Sequence, residues 1–505
     1  MGEAAAAPPS ERHSAPPALG RDAGQLLTFR PARHSLGTGL GAGGFAQRSG
    51  RPSSGLRSGI SSVLLVSTAE DARQLGSLRS QLRAEGPREG AEELQSSRVQ
   101  PWPSTSALIV AEVVGTGILA LGGQTATMGL PIGLLVLLLC YPLNLFTALL
   151  LSRVHRALPG VVTFGDALDR LLGGGFAVYG YVVLYVYLFF NMTNYMIVLS
   201  DSLQNVAYRA RLCRPAASAI GAILLLPANQ LRSLSGLAAL SAFSFATVIA
   251  TIGICLWKLL GGDPHCPGAG AQTGFIQYSS ALSGFVFSFA GQSIMLEMQA
   301  EMKEPAHFPR AACVAFTTLF LAYCAVAALS YHACGSNTPG ELLLVLPDDS
   351  SKAVAGMLMV AHLVVTYTIN QQVFSRAVCV FLLPGALGAG ARARVKWFAV
   401  TTISMAACYL VANCVPLFQD IVNLTGALLS TQVAFIIPGV LILALQRKQP
   451  ARTAALGYGL SVGSCCVVGI GVCLAVTGTI SSAKVIADSL SSGGNAPFSC
   501  HALGA

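Results

Sequence analysis

Long apolar stretches separated by short polar loops repeat along the chain from Ser104 onward. Several run for about 20 residues or more, which suffices to cross a bilayer of ~30 Å as a helix. The third and the eighth are longer, so we expect them to tilt or to protrude. The pattern predicts an all-α polytopic membrane protein with about eleven transmembrane helices, at 104–124, 130–152, 177–206, 213–228, 235–260, 276–300, 310–333, 352–384, 396–413, 416–445 and 454–483.

The composition supports a membrane protein and argues against other classes. Only 10% of the 505 residues are charged, against about 25% in soluble domains. The net charge of +9 comes from basic residues in the N-terminal segment and the loops, away from aromatic clusters, so we expect lipid as a partner and no nucleic acid. The 14 Cys lie mostly in apolar runs without a CxxC spacing, so we expect no metal site, no cofactor and no enzymatic centre.

The chain divides by composition into three parts. Residues 1–100 are rich in Gly, Ser, Pro and Ala and contain twelve Arg and no Lys, which predicts a disordered N-terminal tail. The first 60 residues are also poor in acidic residues, so an organellar transit peptide is the alternative. Residues 101–485 form the predicted transmembrane domain, and 486–505 a short C-terminal tail.

Lys and Arg in the loops predict the orientation, because basic residues concentrate on the cytosolic side. Their distribution places the N-terminus in the cytosol and, with eleven spans, the C-terminus on the opposite side. The cluster from Arg209 to Arg214 runs against this rule. We expect a multi-pass protein of the plasma membrane or of a vacuolar or lysosomal membrane.

Two spans carry glycine interruptions beside a carboxylate. "AEVVGTGILALGG" (111–123) contains Glu112 followed by Gly115-Thr116-Gly117, and "SGFVFSFAGQSIMLEMQAEM" (283–302) contains Gly291-Gln292-Ser293 followed by Glu297. Each Gly costs a helix ~1 kcal/mol, and a carboxylate in the bilayer costs several more. Small residues for helix packing are the alternative explanation. Interruptions in the first and sixth spans, however, indicate an inverted-repeat transporter with a site at the bilayer midplane.

An interrupted membrane helix has chemistry that suits an amino acid. The amides at the start of a half-helix attract a carboxylate, and the free carbonyls of the other break attract an ammonium group or a cation. Unpaired backbone groups are tolerated only where they line a cavity. The predicted substrate-binding residues lie at the two breaks and on the tyrosine-rich third span: Gly115, Thr116, Gly117, Ser288, Ala290, Gly291, Gln292, Tyr187 and Asn191.

Several stretches together resemble the amino acid/auxin permease family, and especially its plant-type branch. "VVGTGILAL" (113–121) is similar to the signature of its first helix, and "FSFAGQSIMLEMQAEMKEPAHFPRA" (287–311) to its sixth helix and the following loop. Further resemblances are "LPANQLRSLSGLAALSAFSF" (226–245), "VAHLVVTY" (360–367) and "PLFQDIVNLTGALLSTQVAFIIPGVL" (416–441). The resemblance covers about 380 residues.

The resemblance implies a LeuT-like five-plus-five inverted repeat with broken helices 1 and 6, followed by an eleventh helix. It also implies secondary active transport of amino acids by alternating access. Relatives that couple to sodium carry Asn four residues before the Gly-Ser/Thr-Gly triplet, where this chain has Ala111. The coupling ion is therefore expected to be H⁺, with Na⁺ as the alternative.

Four residues are candidates for ion coupling. A carboxylate removed from water holds its proton more firmly, so Glu112 and Glu297 are candidate proton carriers, with a structural hydrogen bond or a loop ion pair as alternatives. Thr366 and Tyr367 are hydroxyl candidates, because the resemblance places span 8 opposite span 1; bonds to their own helix are the alternative. Asp201 and Asp420 are expected to be solvated or paired near span ends.

In the predicted topology, Cys266 and Cys334 both lie in extracytosolic loops. An oxidising compartment permits a disulfide between them, although two free thiols remain possible. The overall prediction is a proton-coupled amino acid symporter. The alternatives are an amino acid sensor that signals through its N-terminal tail and a sodium-coupled transporter; a channel would need more polar rings than the spans contain.

Overall fold

A computed structural model describes residues 100–210, 212–231, 237–261, 264–267, 273–383, 386, 390–415, 418–449, 457–491, 497, 498 and 500. The predicted N-terminal tail and most of the C-terminal tail lie outside these residues. The described part of the chain is helical and contains no β-strand, apart from one isolated bridge between Gln100 and Met302. The predicted all-α class is therefore confirmed.

Fifteen α-helices are described. In chain order they are α1 (Trp102–Val113), α2 (Gly117–Met128), α3 (Leu130–Ala157), α4 (Phe164–Leu172), α5 (Gly174–Val206), α6 (Arg214–Asn229), α7 (Leu237–Leu260), α8 (Phe275–Phe289), α9 (Met295–Glu301), α10 (Phe308–Cys334), α11 (Ser350–Leu382), α12 (Ala391–Cys414), α13 (Phe418–Thr425), α14 (Ile437–Lys448) and α15 (Gly457–Ser491). Two π-helical turns, Gly426–Ser430 and Gln432–Ile436, connect α13 to α14.

Within the described residues, nine helices are long and apolar enough to cross a membrane, or ten if α1 and α2 form one bent span. The remaining predicted span corresponds to α6, which has only 16 residues. At ~1.5 Å per residue it is ~24 Å long. It therefore falls short of the ~30 Å hydrocarbon thickness, although it occupies the predicted position.

Local sequence signals account for several helix ends. Thr163 caps α4 in a capping box, because its hydroxyl accepts from the Asp166 amide while the Asp166 carboxylate accepts from the Thr163 amide. Asp349 caps α11 by accepting from the amides of Ser351 and Lys352. Such caps satisfy amides that have no partner inside the helix.

The basic cluster before α6 has a structural reason. Arg214 forms an ion pair with Asp201 of α5, with nitrogen to oxygen distances of 2.6 to 3.0 Å. Asp201 is buried. The Arg214 guanidinium therefore neutralises this carboxylate and is not a free positive charge. The cluster therefore departs from the charge rule because one of its members neutralises a buried acid.

The two broken spans lie in the middle of the bundle. Helix α2 packs on α8 and α10, while α1 packs mainly on α10. Helix α5 packs on α6, α11 and α12. We call the side of the bundle at which α1 begins the N-side, and the opposite side, where α2 ends, the far side.

The far side carries both disulfides of the described residues. Cys266, in the loop after α7, is joined to Cys334 at the end of α10, with Cα atoms 5.5 Å apart. This is the pair predicted from the sequence. Cys213 before α6 is joined to Cys500, with Cα atoms 4.9 Å apart. The segment 338–346 packs against α2 and α7 on this same side.

Candidate substrate and ion site

The first break separates α1 from α2 and bends the chain by 58°. The Val114 amide still donates to the Val110 carbonyl and the Gly115 amide to the Val113 carbonyl, both at 2.8 Å. Helix α2 then starts, and its first amides have no partner inside the helix. Among the described residues, the amides of Thr116, Gly117 and Ile118 therefore have no backbone acceptor.

The second break begins at Ala290, one residue before the predicted interruption. Helix α8 ends at Phe289, a 3₁₀ turn follows over Gln292–Ile294, and α9 starts at Met295. The Ala290 and Gly291 amides donate back to the carbonyls of Phe287 and Phe289. The carbonyls of Ser288 and Ala290 are thereby released from regular helical pairing.

The two breaks touch each other directly. The Ser288 hydroxyl donates to the Gly117 carbonyl over 2.9 Å. A methyl group added at Gly117 would lie 2.7 Å from the Ser288 Cα, and one added at Gly291 would overlap a methyl group of Val113. Both glycines are therefore required by the close approach of the two helices.

Gly115 differs from these two glycines. The nearest atoms to an added methyl group there, the Glu112 carbonyl oxygen and the Tyr195 hydroxyl, are 4.0 Å away. Gly115 would therefore accept a methyl group at ordinary van der Waals distance, and of the two glycines in the triplet it has the more room for a ligand.

Tyrosine hydroxyls satisfy the carbonyls that the breaks release. Tyr187 of α5 donates to the Ala290 carbonyl over 3.1 Å and interacts with Asn191 and Ser430. Tyr323 of α10 donates to the Ser288 carbonyl over 2.7 Å and lies 3.3 Å from the Val113 carbonyl. The structure thus brings the predicted residues Tyr187 and Asn191 to the second break. It also adds Tyr323, which the sequence analysis did not identify.

Gln292 points away from the first break. Its side-chain amide donates to Asn144 Oδ1 over 2.9 Å and to Thr147 Oγ1 over 3.1 Å, both on α3. These bonds fasten the second break to α3. Of the predicted substrate residues, Gln292 is therefore placed as an anchor of the break and not opposite Gly117.

Glu112 and Glu297 lie near one another inside the bundle, where protein surrounds them, and each keeps accessible surface. Glu112 is close enough for its charge to act on Glu297, and also on Tyr187 and Tyr195 of α5. The backbone of Gln100, just before α1, pairs with Glu301 and Lys303 at the end of α9, at 3.1 and 2.9 Å. The two half-helices that carry the carboxylates are therefore joined on the N-side.

Thr366 and Tyr367 lie apart from this group. The Thr366 hydroxyl donates to the His362 carbonyl of its own helix over 3.1 Å, and Tyr367 is buried beside Cys408 of α12. Helix α11 packs mainly on α5 and α7. The hydrogen bond of Thr366 and the neighbour of Tyr367 described here do not involve the breaks, and the approach of span 8 to span 1 stays a prediction.

Polar side chains bond to one another on the far side, above the breaks. Gln124 of α2 donates to Asn423 of α13 over 2.5 Å, and Gln419 donates to Gln124 over 3.3 Å. Asn423 in turn donates to Ser280 of α8, which bonds Ser482 of α15 at 3.1 Å. Asp420, also on α13, is buried and interacts with Ser489. This network links α2, α8, α13 and α15 across the far half of the bundle.

Comparison with known proteins assigns the family. Residues 98–482 match the profile described as "Transmembrane amino acid transporter protein". Because the match covers most of the chain, the chain belongs to this family of membrane transporters.

Several curated relatives come from Arabidopsis thaliana. The chain is 27% identical to "Amino acid transporter AVT1D" over 379 residues, 71% of this chain and 65% of that protein. It is 22% identical to "Amino acid transporter AVT1C" over 391 residues, 74% and 68% of the two chains. It is 25% identical to "Amino acid transporter AVT3A" over 398 residues, 75% and 88%. The match thus spans just under two thirds of the length of AVT1D.

Proposed function

We propose that this chain is a secondary active transporter that carries amino acids together with protons by alternating access. The observation that carries the proposal is the contact between the two helix breaks, where Ser288 meets Gly117. Family membership supports amino acids as the substrate class. The relatives are named as amino acid transporters, which agrees with this class.

The breaks supply complementary groups for a zwitterion. The unpaired amides at the start of α2 and the positive end of that helix suit a carboxylate. The carbonyls of Ser288 and Ala290 each accept one tyrosine hydroxyl, and the second lone pair of each oxygen suits an ammonium group. The space beside Gly115, bordered by Tyr195, lies next to the amides and is the proposed position of the substrate carboxylate.

Glu112 and Glu297 are the proposed proton carriers. They lie next to the breaks on the two half-helices of the N-side and each keeps accessible surface, through which we expect protons to reach them. Ala111 supplies no side-chain oxygen, and a sodium ion short of one ligand would be held weakly.

The arrangement corresponds to one state of the transport cycle. With the far half linked through Gln124 and Asn423 and the carboxylates of the other half keeping accessible surface, we assign it to the state open to the N-side. Taken with the loop charges, the N-side is the proposed cytosolic side, in a plasma or vacuolar/lysosomal membrane.

Uptake into proteoliposomes tests the proposal. A panel of labelled amino acids is offered with an imposed pH gradient, with a sodium gradient or with neither. Accumulation of at least one amino acid under the pH gradient alone is expected. Accumulation only under the sodium gradient would replace H⁺ by Na⁺, and no uptake of any amino acid would contradict the proposal.

A further inference from the structure

A single hydroxyl group lies between the two helix breaks. The side chain of Tyr323 is fully buried, and its oxygen is 2.7 Å from the Ser288 carbonyl and 3.3 Å from the Val113 carbonyl. Its ring packs edge-on against Phe289, with centroids 4.9 Å apart. The hydroxyl is therefore held in place by packing and not by the hydrogen bonds alone.

Two carbonyls that converge from different helices form a cation site when nothing else neutralises them. Carbonyl oxygens are ligands of hard cations, and an unpaired carbonyl in an apolar interior is unfavourable. Here the Tyr323 O–H donor lies between the Ser288 carbonyl and the Val113 carbonyl, which also accepts from the Gly115 amide. Tyr187, by contrast, reaches only the Ala290 carbonyl, so it does not connect the two breaks.

We propose that the Tyr323 hydroxyl is a covalently attached substitute for a bound cation, and that it makes the site independent of sodium. The hydroxyl proton lies on the short bond to the Ser288 carbonyl, while the Val113 carbonyl keeps its bond from the Gly115 amide. The proposal is tested below by uptake and by thermal unfolding. The uptake measurement rests on the proposed function, but the unfolding measurement does not.

The test is Tyr323→Phe, which removes the hydroxyl and keeps the ring against Phe289. The control is Tyr331→Phe on the same helix, a partly buried tyrosine. Thermal unfolding of purified protein and uptake are compared in sodium chloride, lithium chloride and choline chloride. We expect Tyr323→Phe alone to gain sodium dependence, with a rise of several degrees in Tm and a several-fold rise in uptake.

Each other outcome overturns the proposal. A Tyr323→Phe protein with the same Tm in all three salts would show that the hydroxyl does not replace a cation, as would a wild-type protein stabilised by sodium. Recovery of folded Tyr323→Phe only in sodium supports the proposal, whereas no recovery in any salt contradicts it. Absent uptake by the wild type would instead overturn the proposed function and leave the Tm comparison intact.

A second, independent observation concerns Glu341 on the far side. Glu341 is 2% exposed, and neither of its oxygens has a hydrogen-bond donor among the described residues. It lies beside Asp201, which Arg214 already binds through both carboxylate oxygens. Next to it in the chain, Gly340 contacts Gln419 and Gly123. The segment 338–346 therefore joins α2 and α13 to the α5 and α6 side of the bundle.

The groups around Glu341 leave it short of positive charge. Asp201 faces it from α5, Arg214 from α6 and the Cys255 thiol from α7. The loop after α7 adds His265, whose backbone amide donates to the Val345 carbonyl of the same segment. The nearby lysines are engaged elsewhere, Lys258 with Asp349 and Lys352 with Asp348. Burial raises the pKa of Glu341, the charge of Asp201 raises it further, and Arg214 opposes both.

We infer that Glu341 holds a proton beside Asp201 and that segment 338–346 is a proton-held latch on the far side. With the proton present, the carboxyl pair and Arg214 bind the segment against α5. Loss of the proton leaves two carboxylates opposite one guanidinium, and their repulsion loosens the segment. Low pH at the far side thus favours closure there.

Hydrogen exchange of the peptide over 338–346, corrected for the intrinsic pH dependence of exchange, tests the latch. In the wild type, protection is expected to fall several-fold from about pH 5 to about pH 8. Glu341→Gln, which retains a donor toward Asp201, should keep its protection throughout. Asp348→Asn, an exposed acid nearby, should follow the wild type. A flat wild-type profile, or a Gln variant that follows the wild type, would overturn the inference.

Discussion

At the scale of single residues, three glycines at the breaks have two different roles. Gly117 and Gly291 allow the two broken helices to approach, whereas Gly115 has more room, with the Tyr195 hydroxyl nearby. From the sequence alone, packing and ligand approach were alternatives for the whole triplet. The structure assigns close helix packing to Gly117 and leaves room for a ligand at Gly115.

Alanine at Gly117 and at Gly115 should therefore fail in different ways. Gly117→Ala forces the first break away from Ser288, an overpacking that typically costs ~1–3 kcal/mol, so its Tm should fall and transport should be lost with it. Gly115→Ala should keep the wild-type Tm and raise the KM for substrate several-fold. Thermal unfolding and uptake kinetics on the same preparations decide the matter. Equal loss of Tm in both variants would contradict this division.

Glu112 and Glu297 are also distinguishable by substitution. Glu112→Gln imitates the protonated carboxyl, so it should retain exchange of internal for external substrate and lose accumulation driven by a pH gradient. Glu297→Gln is the parallel variant on the other half-helix, because both carboxylates are proposed carriers and the two substitutions separate their roles. If the Glu112 variant still concentrates substrate with the wild-type pH dependence and the Glu297 variant does not, the carrier is Glu297.

At the scale of elements, the far-side disulfide fastens the loop after α7 to the end of α10. The two cysteines are 68 residues apart in the chain, and native bridges over loops of this size typically contribute ~2–5 kcal/mol. Cys334→Ser should therefore lower the stability of the wild type, and adding Cys266→Ser should lower it no further. Mass spectrometry of unreduced peptides is the direct check. Alkylation of both thiols without reductant would reject the bridge.

The helices and their breaks were predictable because they depend on local signals. The length of an apolar stretch identifies a span, and the Gly115-Thr116-Gly117 triplet near Glu112 identifies a position where the helix is easily interrupted. The predicted interruption at Gly291 differs from the observed one at Ala290 by a single residue. Even the short α6 was predicted in place, because Pro215 and a following apolar run bound it.

The tertiary partners were not predictable, because they depend on which helices meet. Tyr323 is one buried tyrosine among several, and no feature of its neighbours in sequence indicates that it reaches the breaks on α1 and α8. The bond between Gln124 and Asn423 joins residues 299 positions apart. Thr366 was placed toward span 1 by resemblance, whereas its hydroxyl bonds its own helix.

At the scale of the whole molecule, the transport machinery lies within the described helices, and the N-terminal segment precedes the matched region that begins at residue 98. Deletion of residues 2–97 should therefore leave uptake in proteoliposomes within about twofold of the full chain. This result would favour a transporter over a sensor that needs the tail for signalling. Loss of uptake by folded, inserted protein would show that the segment takes part in transport.

Access to the breaks from one side of the membrane is the property that alternating access requires. In this structure the two carboxylates on the N-side half keep accessible surface, while Gln124 is fully buried under Gln419 and Asn423 on the far half. A cysteine introduced at Glu297 should thus react rapidly with a membrane-impermeant thiol reagent added on the side of the N-terminus.

The same reagent added on the far side should leave this cysteine unmodified until substrate and a proton gradient drive the transporter through its cycle. The measurement uses oriented vesicles, with the modified peptide identified by mass spectrometry so that native cysteines do not interfere. Cys414, which is exposed at the far end of α12, reports labelling from the far side in the same sample. Rapid modification of the introduced cysteine from both sides at rest would mean a continuous pore, and the assignment to a transporter open on one side would then be wrong.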